Sequence, residues 1–63
     1  MCEFKVFLKG EKVFEGAVYA KAYEGKVYLR DVIGNSREMQ NCKIAEVDVA
    51  SEKLTLSPSD REI

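Results

Sequence analysis

Histidine and tryptophan are absent from these 63 residues, and proline occurs once, at Pro58. Without histidine there is no Ser-His-Asp triad, no Cys-His dyad and no imidazole base working near neutral pH. A His-bearing zinc finger is excluded for the same reason. Cysteine occurs only at Cys2 and Cys42, and two thiolates cannot complete a four-thiolate zinc site within one chain. Neither charge dominates: ten basic residues face eleven acidic ones, for a net charge of −1. A dedicated nucleic-acid binder of this size normally carries a basic excess, because phosphate contacts dominate its affinity. No apolar run reaches transmembrane length, and no signal-peptide pattern opens the chain. These absences point to a cytoplasmic protein with reduced thiols that is not an enzyme by itself. A chain of this length forms one small domain and buries only about 60% of its unfolded surface, so a metal or a partner subunit is a common supplement to its core.

What is present alternates with period two, the spacing of strands. Cys2, Phe4, Val6 and Leu8 share one face, and Glu3, Lys5, Phe7 and Lys9 the other. Lys9-Gly10-Glu11 reads as a hairpin turn. The run Val13–Tyr23 is rich in β-formers, and Gly16 within it marks a bulge or bend. Glu24-Gly25-Lys26 is a second turn, and Val27 begins a third strand expected to reach Ile33. Gly34-Asn35-Ser36 turns the chain again. A short run over 37–40 and a strand from Cys42 to Val49 follow, the latter with Val47 and Val49 on one side and Glu46 and Asp48 on the other. After the turn at Ala50-Ser51-Glu52, Leu54 and Leu56 face inward in a last strand that Pro58 ends. The expectation is an all-β domain over 1–57, a small barrel or sandwich of five to six short antiparallel strands, with a polar tail over 58–63. Closing the sheet would remove its edges.

The opening Met1-Cys2-Glu3 carries the sharpest chemical signal. A small residue after the initiator methionine permits its removal, which would make Cys2 the first residue. An α-amine, a thiolate and the next amide nitrogen then lie within one residue's reach. That donor set suits Ni(II) or Cu(II) in square-planar geometry and can also serve Zn(II). One chain would not fill the coordination sphere, whereas a two-fold dimer would bring two Cys2 groups to one axis. The bland alternative is a half-buried small hydrophobe at the start of a strand. Cys42 reads as an ordinary buried thiol, with a second metal ligand or a disulfide to Cys2 as the sharper alternatives. A second surface competes for function. Lys5, Phe7, Tyr19, Lys21, Tyr23, Tyr28 and Arg30 could stack bases and hold phosphates, with Lys5, Tyr28 and Arg30 as the RNA-binding candidates. Acidic residues interleaved with them weaken that field. Phe7, on the polar phase of its strand, is expected to be exposed and to mark a subunit interface. Asp31, Glu46 and Asp48 are expected to be solvated strand residues with no catalytic role.

The opening "MCEFKV", the stretch "LRDVIGN" at Leu29–Asn35 and "AEVDVASEKLTL" at Ala45–Leu56 together resemble the CooT family. These are very short bacterial and archaeal proteins, often labelled as predicted RNA-binding proteins. Relatives are expected to carry an acidic residue where this chain has Asn35. The resemblance implies a small SH3-like β-barrel that forms a homodimer. It also implies a nickel-binding accessory role in maturation of carbon monoxide dehydrogenase, since the namesake's cysteine matches Cys2. The expected function is therefore metal storage or delivery, with Ni(II) or another divalent transition metal held by Cys2 and a nickel enzyme as acceptor. A small RNA-binding module is the alternative.

Overall fold

Every segment with period-two alternation becomes a strand in the computed structural model, which describes residues 3–59. The strands are β1 (Phe4–Leu8), β2 (Glu11–Tyr23), β3 (Lys26–Asp31), β4 (Ser36–Gln40), β5 (Cys42–Asp48) and β6 (Lys53–Pro58). They form one sheet in the order β4-β3-β2-β1-β6-β5. All pairings are antiparallel except β1 with β6, which run parallel. Two-residue turns drive the first two hairpins. Lys9 and Gly10 both have positive φ, as do Glu24 and Gly25, and a turn of that hand matches the twist of the strands it joins.

β2 is long enough to serve both halves of the molecule because it bends. Three register shifts interrupt its pairing. One falls at Gly16, since Phe4 faces Ala17 and Lys5 faces Glu15. Another leaves Val13 as the extra residue between Phe14 and Lys12. The third leaves Val18 as the extra residue between Ala17 and Tyr19. Each extra residue adds local twist. Gly16 has φ +84, a region that an L side chain avoids. The bulge at Val13 frees a backbone carbonyl, and Arg37 Nη1 of β4 donates to it at 2.7 Å. The start of β5 folds back over β3, with the Cys42 N–H donating to the Gly25 carbonyl at 3.0 Å. The sheet is curled by these features but remains open, with β4 and β5 as its two edges.

The core lies inside the curl. Val6, Ala17, Val27, Leu29, Cys42, Leu54 and Leu56 are buried, and Phe4, Leu8, Val13, Phe14, Met39 and Ile44 pack against them. The all-β expectation holds, as do the bend at Gly16, the inward Leu54 and Leu56 and the buried thiol of Cys42. Against the expected antiparallel barrel, β1 and β6 pair parallel and the sheet stays open, and three further details differ. β3 stops at Asp31 rather than Ile33, because the Asp31 carboxylate captures the backbone that follows. Its Oδ1 accepts from the N–H groups of Ile33 at 3.1 Å and Asn35 at 2.8 Å, a local competitor to ladder bonding. Phe7 is half-buried rather than exposed. Lys53, on the parallel neighbour β6, places its Nζ 5.2 Å from the centre of the Phe7 ring. Phe7 therefore has a cover within its own chain. Val47, which alternation placed opposite the charged residues of β5, is 56% exposed, because the extra residue Ala45 shifts the register between Ile44 and Glu46.

Candidate functional site

Cys2, the expected metal ligand, lies outside the described residues. The other thiol is a poor ligand. Cys42 is buried, its Sγ donates to the Met39 carbonyl at 3.5 Å, and desolvation pushes its pKa up. A metal ligand needs the opposite tendency, toward an accessible thiolate. Among the described residues, no three Cys, Asp or Glu side chains gather in a way that could hold a metal ion.

Two of the three carboxylates considered from sequence, Asp31 and Asp48, have structural work instead. Asp31 organises the loop after β3. Asp48 accepts from the Ser51 N–H at 3.3 Å, and its pKa is lowered chiefly by the Ser51 hydroxyl and then by the Ser51 backbone. Glu46 is exposed on β5.

Two surfaces emerge from the packing. The first is an apolar cleft of about 240 Å³ beside the start of β1, lined by Phe4, Val18, Ala20, Ile44, Val47 and Leu54, among others. It exists because β2 and β5 each slip register at this end, at Val18 and Ala45. Val18 and Val47 stay exposed in this cleft, which also reaches the buried Leu54. Val18 and Val47 could not be assigned to a cleft from alternation alone, since nothing in the sequence marks either slip.

The second surface is the outward side of β2, β3 and β4. Register places Tyr19, Arg30 and Ser36 in one row, Lys21, Tyr28 and Glu38 in the next, and Tyr23, Lys26 and Gln40 in the third. Tyr28 and Arg30, expected together, are thus on one face with Tyr19, Lys21 and Tyr23. Lys26 joins them and was not among the residues expected there. Lys5 is elsewhere: it faces Glu15 and Lys53, on the far side of the Gly16 bend. Tyr19 and Tyr28 meet edge to face at 6.1 Å. Arg30 lies 4.4 Å over the Tyr19 ring, and Lys21 and Lys26 lie 5.2 and 5.7 Å from the Tyr23 ring. Tyr23 Oη donates to Glu38 Oε2 at 2.7 Å, and that bond is the main reason its pKa is raised above 10.0.

A family model described as CO dehydrogenase accessory protein CooT matches residues 1–57, all but the last six residues of the chain. The chain belongs to the CooT family. The match spans β1 to β5 and most of β6, and it includes Cys2. An accessory role and the all-β sheet are therefore properties of this CooT-family chain. No curated protein matches its sequence. No helix among the described residues is long and apolar enough to cross a membrane.

Proposed function

We propose that this CooT-family chain binds nickel through the Cys2 thiolates of two copies and delivers it to carbon monoxide dehydrogenase. Membership of an accessory-protein family over residues 1–57 is the observation that carries this reading. The cleft beside β1 supports the two-copy form. Phe4 lines it, and two residues of chain keep Cys2 within about 7 Å of Phe4, Cα to Cα. A second chain covering Val18 and Val47 would bring its own Cys2 to the same place. Two thiolates with two amine or amide nitrogens would then make a four-donor site that one chain lacks. The metal is cargo, so the site must release it. A site split between two chains opens when they separate, which a closed cage within one core does not. The protein acts in the cytoplasm, where Cys2 stays reduced.

Titration with Ni(II) tests the site. With Met1 removed, the protein should develop thiolate-to-nickel absorption that saturates at one metal per two chains. Cys2→Ser should abolish it, and Cys42→Ser should leave it unchanged. Retaining Met1 should weaken binding, because the α-amine is then displaced from Cys2. Full nickel binding by Cys2→Ser would refute the assignment. Cu(II) should compete effectively, since it binds such donors more tightly than Ni(II).

A further inference from the structure

The outward face of β2, β3 and β4 is built of unlike chemistry from the rest of the molecule. Its nine paired positions hold three tyrosines, three cations and a single carboxylate, Glu38. Three cations against one carboxylate give these nine positions a charge of +2, on a chain whose net charge is −1, while Glu24, next to Tyr23 in the turn, adds a carboxylate at their margin. Glu38 is already engaged, accepting from Tyr23 Oη and, at 3.1 Å, from Gln40 Nε2. We propose that this face is the surface on which the chain docks against an acidic patch of its client protein, CO dehydrogenase. The proposal rests on the accessory role of the CooT family and holds whether or not Cys2 carries the metal.

Three features favour a protein partner. Tyrosine and arginine are among the residues that most often anchor protein interfaces, and here they stand together on the paired strands β2 and β3. The cations are held in place, Arg30 on Tyr19 and both lysines on Tyr23, so less side-chain freedom is lost on docking. Those same contacts occupy faces of the Tyr19 and Tyr23 rings that bases of a single-stranded nucleic acid would need for stacking. A surplus of two charges suits an acidic protein patch, which steers and orients the partner. It is small for a ligand whose affinity comes from many phosphates.

The test measures binding of the full chain to immobilised nickel-free CO dehydrogenase at low and at high salt. The wild type should bind, more weakly at high salt. Lys21→Glu combined with Arg30→Glu should weaken binding by about tenfold or more. The matched pair Lys9→Glu with Lys43→Glu, which changes net charge equally on exposed sites off this face, should have little effect. Lys21→Glu alone, at an exposed position, should show part of the loss and guards against misfolding of the pair. Equal losses for both pairs, or no wild-type binding, would overturn the proposal. So would tight binding of a labelled oligouridine that the Lys21/Arg30 pair abolishes, which would assign the face to nucleic acid. Nickel uptake is measured on the same samples. Docking without nickel uptake would refute only the metal site, and nickel uptake without docking would refute only this surface.

Discussion

Asp48 shows how one side chain can hold a turn in a protein with so little core. Its carboxylate takes hydrogen bonds from Ser51, which pull its pKa below the ordinary 3.8. A carboxyl whose pKa is lower in the folded state stabilises the fold fully above its unfolded pKa, and that stabilisation is lost as pH falls through the folded value. Asp48→Asn should therefore lower the urea midpoint at neutral pH, and the difference from wild type should vanish in strong acid. A pH-independent difference would show that ionisation of Asp48 is not what stabilises the turn. At this scale the sequence is legible where a residue's environment is local. Cys42 could be expected to be buried because free thiols usually are. Phe7 was misplaced because Lys53, the group that covers it, lies on a strand at the opposite end of the chain.

β2 is the element on which the architecture turns, since its first half pairs with β1 and its second half with β3. Gly16 permits one of its bends with φ +84, and no heavy atom crowds the position a Cβ would take. Gly16→Ala should therefore cost about 1–2 kcal/mol from backbone conformation alone, read as a lower urea midpoint with an unchanged slope. A neutral substitution would mean that the bend does not require positive φ. Gly16 announced its bulge in the sequence. Val13 and Val18 did not, because a β-branched residue looks the same in a regular ladder and in a bulge. Only Arg37 reaching the Val13 carbonyl, from a strand two places away in the sheet, reveals what the first of these slips requires. The apolar cleft was invisible for the same reason, since it results from slips in β2 and β5 acting at one place.

For the whole molecule, a small core and an open sheet mean that each buried side chain matters. Stability should be about 3–9 kcal/mol for a chain of this length. Leu29, fully buried on β3, should lose about 2–5 kcal/mol on truncation to alanine. Leu29→Ala should then melt at markedly lower temperature or lose its cooperative transition by circular dichroism, and a shift of a degree or two would contradict its place at the centre of the core. The number and type of strands were legible from alternation and turn residues, because both are local. The parallel pairing of β1 with β6 and the open edges at β4 and β5 were not, because they depend on how distant strands meet. Cys2 was singled out as the expected ligand by its position after Met1 and by likeness to the CooT family, and of these two the match over residues 1–57 shows the family. Native mass spectrometry of the Met1-processed protein with Ni(II) tests the two-chain nickel site most directly. A dimer carrying one nickel is expected, with no nickel on Cys2→Ser. A monomer that holds nickel, or a Cys2→Ser dimer that still carries it, would mean that Cys2 thiolates of two copies do not form the site.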